Sequence, residues 1–284
     1  MNDVSAVYAR NDLMQIRVGY ELIYQCGQPT PMILMLNIHP SRADDLIVPD
    51  VLATDPGVPL AAYTDGFGNR CTRLVAPPGA IRLSANAVVR DSGQPDRIAG
   101  EAAQLPVEAL PPETLVYLLG SRYCETDRLA SFAWARFGDI PGGWRKVQAV
   151  VDYVHNHLRF SYPEARPTRT ALDAFTEGKA VCRDFAHLSI TLCRALNIPA
   201  RYCTGYLGDI GVPRDPAPMD FSAWFEVYLD GGWYTFDARH NTPRIGRVLI
   251  ARGRDASDVA ISSSFGPTTL LQFKVWTDEV RGEA

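Results

Sequence analysis

Apolar and polar residues alternate along much of the first hundred positions. Ile16-Arg-Val-Gly-Tyr-Glu-Leu-Ile-Tyr24 and Ile81 to Arg90 follow the two-residue period of half-buried strands, and Met32 to Ile38 is apolar enough for a buried one. Between them Tyr63-Thr-Asp-Gly-Phe-Gly-Asn-Arg70 holds Asp-Gly and Gly-Asn turn signals. Short strands punctuated by Gly and Pro predict a sandwich-like β module over ~14 to ~100. Pro106, Pro111 and Pro112 then mark a linker.

Past the prolines the period changes to that of helices. Glu113 to Leu119 and Leu129 to Phe137 read as helical, and Trp144 to Leu158 puts Val147, Val150, Val151, Val154 and Leu158 on one face. Ala171 to Glu177 is a short helix stopped by Gly178, and Cys182 to Leu196 is the next, with Ala186, Ile190, Cys193 and Leu196 inward and Asn197 ending it before Pro199. Ala200 to Tyr206 reads as a strand and Gly208 to Pro218 as a long loop. Phe221 to Leu229 and Trp233 to Asp237 then form a hairpin around Asp230-Gly-Gly. The pattern predicts an α+β chain in two parts, a β-rich module over 1–110 and a second unit over 111–284.

The chemistry concentrates in Gly178-Lys-Ala-Val-Cys182-Arg-Asp-Phe-Ala-His187. A cysteine that opens a helix meets unpaired N–H groups and the positive end of the dipole, and both favour the nucleophilic thiolate. The other reading of such a cysteine is a small buried residue. A nucleophile helix followed by strands that supply a base and an orienting carboxylate is the logic of thiol triads.

At this point the chain resembles the bacterial transglutaminase-like superfamily. The resemblance rests on Val181-Cys182-Arg-Asp-Phe-Ala-His187-Leu, Ile198-Pro-Ala-Arg201-Tyr, Ser222-Ala-Trp-Phe-Glu226-Val-Tyr and Trp233…Phe236-Asp237, with Asp65-Gly-Phe-Gly-Asn69-Arg similar to the module that precedes such cores. It implies a papain-like transglutaminase core with a Cys-His-Asp triad, in a family of transglutaminases, peptidases, amidases and inactive relatives. Cys182 matches the nucleophile and Asp237 the carboxylate that orients the histidine. The substrate implied is a peptide or protein amide, including a glutamine side chain, and the chemistry needs no metal or organic cofactor.

The family's histidine stands here as Ser222, and a hydroxyl is no base near neutral pH. His240 is the best-placed substitute. Strand parity puts it on the face opposite Asp237, so the chain must bend after Asp237, and Asn241-Thr-Pro243 signals a turn. With a two-residue turn pairing Leu229 with Gly232, Trp224 faces Asp237 and Ser222 lies diagonally from it. The alternative to a rewired enzyme is a binding protein that keeps the fold without turnover, with Asp237 a plain hairpin-end acceptor.

His187 projects ~140° away from Cys182 around the helix, so it reads as a hydrogen-bonded packing residue. His155 and His157 suit a helix C-terminus as cations, and His39 carries no visible chemistry. Cys182, Asp184 and His187 do not share a helix face and make no metal site. Arg183 and Asp184 either tune the thiol or are solvated helix-start charges. Trp224 walls a cleft or sits in the core, and Glu226 and Tyr228 read as half-exposed strand positions.

Composition narrows the partners. A net charge of −4 and pI near 5.8 give no reason to expect nucleic acid or an anionic membrane surface. Met1-Asn-Asp-Val-Ser-Ala-Val-Tyr8 lacks the basic and apolar regions of a secretory leader, and no apolar run reaches the length of a membrane span. The six cysteines form no CxxC pair, so a reduced, cytoplasmic setting is expected.

Overall fold

The computed structural model describes residues 14–280, so the Met1–Tyr8 segment read for a leader lies outside the described residues. The alternating segments form two antiparallel sheets. In the first, strand Met14–Cys26 lies between Gly79–Asp91 and Thr268–Glu279, with Leu46–Val48 and Ala53–Asp55 further along Gly79–Asp91. Ile16, Val18, Tyr20 and Leu22 are buried on its inner face. Gly19 is required on the other face, because the Trp276 ring and the Ala85 carbonyl occupy the space of a side chain. In the second sheet Thr30–Leu34 lies between Arg70–Ala76 and Ser262–Ser264, and Ala61–Thr64 forms the far edge.

The segment 111–284 is therefore not one unit. Its strands Ser262–Ser264 and Thr268–Glu279 complete the N-terminal sheets, because Thr30–Leu34 and Met14–Cys26 are interior strands whose backbone groups need partners on both sides. The Asp65–Asn69 turn joins the two parts. Asp65 Oδ1 accepts the Phe67 and Asn69 N–H groups, and Asn69 in turn pairs both ways with the backbone of Arg252, at 2.8 and 2.9 Å.

A third sheet runs in the order Gly232–Phe236, Ser222–Leu229, Ala200–Leu207, Arg247–Gly253. Against it packs the helix Cys182–Ala195, buried without a break from Asp184 to Arg194. The sequence suggests one inward face for this helix. Helices Thr126–Phe137, Trp144–His157 and Ala171–Glu177 cover its other sides. The helix expected over 113–119 is two short pieces, Pro112–Leu115 and Val116–Leu118, with Leu119 exposed. The hairpin turns through Asp230 (φ 46°) and Gly231 (φ 80°), the two positive φ values of a tight hairpin turn. Its register, Leu229 on Gly232 to Phe225 on Phe236, sets Trp224 opposite Asp237.

Two buried histidines make the fold acid-sensitive. His39 accepts the Ser41 N–H at Nδ1, and burial lowers its pKa to about 4. His187 accepts the Ala256 N–H at Nε2 and stacks on Tyr123 with ring centroids 5.0 Å apart, and burial lowers its pKa also. Both stay neutral in the fold while the unfolded chain protonates below its ordinary value, so stability is full above ~6.5 and falls toward pH 4. The melting temperature should drop on the order of 5 °C between pH 6.5 and 4.5, and less in His187→Gln. A melting temperature flat across this window would contradict the account.

Candidate active site

The start of the Cys182 helix is fixed by charge buried with its partners. Gly178 takes φ 66° to close the preceding helix, and Val181 is extended as the N-cap residue. Asp184, in the first turn, reaches back to accept the Val181 N–H at 3.0 Å. The same Oδ2 pairs with Arg169 at 3.1 Å, while Oδ1 accepts from Arg183. Arg169 also pairs with Glu177 at 3.0 Å. Asp184 is 0% and Arg169 2% exposed. Asp184 is thus not the solvated helix-start charge that one reading of the sequence suggests, while Arg183, which pairs with it, stays partly exposed. Residue spacing gives no sign of this network, because Arg169 comes from the preceding loop.

Of the six cysteines, Cys182 alone keeps partial exposure. Its sulfur is nevertheless enclosed, and burial pushes the thiol up to about 11. Arg239 and the backbone N–H groups of Ala223 and Arg183 favour the thiolate, and Asp220 opposes it. The helix-start argument alone predicts a shift down. Burial outweighs it here and favours the thiol.

Asp237 ends the Gly232–Phe236 strand and organises the bend that follows. Its Oδ1 accepts the Arg239 and His240 N–H groups at 3.0 and 3.2 Å, and Asn241 N donates to the Asp237 carbonyl at 2.7 Å. Asn241 completes the turn at φ 50°. The bend brings the His240 ring back, with Nδ1 2.8 Å from Asp237 Oδ2. Arg247 donates to the same Oδ2 at 3.0 Å and is held by Asp96. Arg247 and His240 together keep the buried Asp237 carboxyl ionised, well below the usual carboxylate range.

An open cleft of about 1320 Å³ is lined by Tyr162, Asp220, Ser222, Arg239 and His240, among others. Tyr162, Asp220 and Arg239, which line this cleft, each interact electrostatically with the Cys182 thiol. Arg239 lies over the Phe160 ring, its guanidinium 3.9 Å from the ring centre. Ser222 is buried and lines the cleft. Trp224 is core, 2% exposed under Arg247. Glu226 and Tyr228 are half-buried as expected, and Glu226 pairs with Arg201. His155 and His157 donate to the Ala238 and Phe175 carbonyls at 2.9 and 2.7 Å, so they brace tertiary structure and do not simply cap a helix. Gln148 adds a bond to Asn241 at 2.9 Å. His155 and Gln148, on one helix, thus hold the turn that carries His240. Their helical spacing was readable in the sequence; their target was not. Among the described residues no group of His, Cys, Asp and Glu side chains could hold a metal ion.

A cysteine-headed helix packed on an antiparallel sheet, with a carboxylate at the end of a neighbouring strand, defines the papain-like class of α+β folds. Residues 133–238 match the model of the transglutaminase-like superfamily. Over 96% of this chain and 93% of the other, the structure superposes with TM-score 0.82 and 32% identity on a candidate cysteine protease from Cytophaga hutchinsonii. An uncharacterized protein of Mycobacterium leprae is 33% identical over 112 residues, a stretch that spans 36% of this chain and 38% of that relative. The chain belongs to the transglutaminase-like superfamily.

Proposed function

We propose that this protein is a thiol acyl-transfer enzyme acting on peptide or glutamine side-chain amides, with Cys182 as nucleophile and His240–Asp237 as its base. The observation that carries this reading is the 2.8 Å bond between His240 Nδ1 and Asp237 Oδ2 on the wall of the cleft. With Nδ1 donating to the carboxylate, the neutral ring presents its lone pair at Nε2. His240 takes the thiol proton as the sulfur attacks the carbonyl carbon. It returns that proton to the departing amine when the thioester forms. Water or a second amine then releases the acyl group and restores the thiol. Asp237 holds the ring and stabilises its protonated form, and the Arg247 ion pair keeps that carboxylate charged.

Incubation with p-nitrophenyl acetate tests the reading without knowledge of the natural substrate. The expected result is a thioester on Cys182, found by peptide mass spectrometry and absent from Cys182→Ala. A wild-type protein that releases nitrophenol no faster than Cys182→Ala contradicts it. The rival is a binding protein without turnover, favoured by the thiol's rise to about 11 and by Ser222 at the family's base position. It predicts no thioester.

A further inference from the structure

We propose that the Ser222 hydroxyl is the hydrogen-bond donor for the substrate carbonyl oxygen, the atom that gains negative charge when Cys182 adds. This rests on the reading of Cys182 as the nucleophile. It gives the serine that stands in place of the family's histidine a role of its own.

Ser222 opens its strand and lines the cleft at 6% exposure, and its Oγ has no hydrogen-bond partner among the described residues. A buried hydroxyl without a partner costs ~1–3 kcal/mol, so this one needs an explanation. The buried serine and threonine hydroxyls of the same helix and neighbouring strand are satisfied. Ser189 and Thr191 donate to the carbonyls of Phe185 and His187 at 2.9 and 2.8 Å, and Thr204 donates to the Ser222 carbonyl at 3.1 Å. That last bond fixes the Ser222 backbone and leaves its side chain unpaired.

The position is next to the chemistry. Ala223, the following residue, interacts through its N–H with the Cys182 sulfur. A carbonyl carbon attacked by that sulfur has its oxygen within the reach of the strand start and of the N–H groups at the helix start. As the S–C bond forms, the carbonyl π pair moves onto oxygen and the thiol proton passes to His240. Ser222 donates a hydrogen bond to the oxyanion and keeps its own proton. When the C=O bond re-forms and the amine departs, the hydroxyl is released unchanged. A preorganised donor of this kind acts in the transition state, where the oxygen is most negative.

An aldehyde probe separates this role from a structural one. N-acetyl-phenylalaninal adds reversibly to a nucleophilic cysteine: sulfur bonds to the aldehyde carbon, and the oxygen becomes the charged or protonated centre the donor should hold. Alkylation by iodoacetamide develops no such oxygen. Ser222→Ala should weaken aldehyde binding roughly tenfold or more, Ser222→Thr should restore it to within about threefold, and alkylation at pH 7 should stay within about twofold in both. Unchanged aldehyde affinity in Ser222→Ala overturns the proposal, as does a parallel fall in alkylation or the lack of any wild-type adduct. Failure of the His240 assignment shows separately, as an alkylation pH profile that His240→Ala leaves unaltered.

Discussion

Replacing Arg169 with methionine should cost on the order of 3–5 kcal/mol of folding stability, the range for removing one partner of a buried ion pair. The side chain is 2% exposed and faces Asp184, which is 0% exposed and 3.1 Å away. Methionine fills much of the arginine stem's volume, so the loss measures charge rather than space. Asp184 keeps the Val181 N–H and Arg183, but it loses its most buried cation. Urea unfolding followed by fluorescence gives the stability. Arg169→Met/Asp184→Asn should recover most of the loss, since it removes the stranded charge. A single-variant cost below ~1 kcal/mol would mean that the pair does not hold the helix start.

His240→Ala should slow acylation of Cys182 by about 10²–10⁴ at pH 7 while leaving the fold intact, the range for losing a positioned general base. The ring is partly exposed on the cleft wall, so its removal opens no core cavity. Asp237 retains Arg247 at 3.0 Å, and its charge stays compensated. The loss should therefore appear in the rate and not in the melting temperature. A His240→Ala enzyme that acylates as fast as wild type removes His240 from the mechanism. A variant that is slow because it is unfolded would show in circular dichroism, and Asp237→Asn then serves as the second probe of the same pair.

Much of this site could be read in the chain because its pieces are local. Gly178 before Cys182 announces a helix stop followed by a helix start. The Asp230-Gly231 turn fixes the hairpin register, and that register alone sets Trp224 against Asp237. Even the bend that returns His240 is signalled by Asn241 and Pro243, although parity argues for the opposite face. The parts that escaped are those made by distant charges. Arg247 reaches Asp237 from another strand, and Arg169 reaches Asp184 from a loop. Hydrophobic periodicity carries no information about where a guanidinium lands. The return of Thr268–Glu279 beside Met14–Cys26 was hidden for a related reason. Most of that strand's positions keep exposure, so its alternation is faint, and its partner lies some 250 residues earlier. The direction of the thiol's shift escaped as well, since a helix start is visible in sequence and the packing around a sulfur is not.

The central claim is that His240 draws the proton from an otherwise reluctant Cys182 thiol. The pH dependence of iodoacetamide alkylation at Cys182, compared between wild type and His240→Ala, tests it most directly. Wild type should be alkylated readily at pH 7, far below the alkaline range that burial sets for the thiol, and His240→Ala should lose that reactivity. The variant's reactivity should rise only toward the value of about 11 set by burial. Superimposable profiles, both rising only in that alkaline range, would contradict the account.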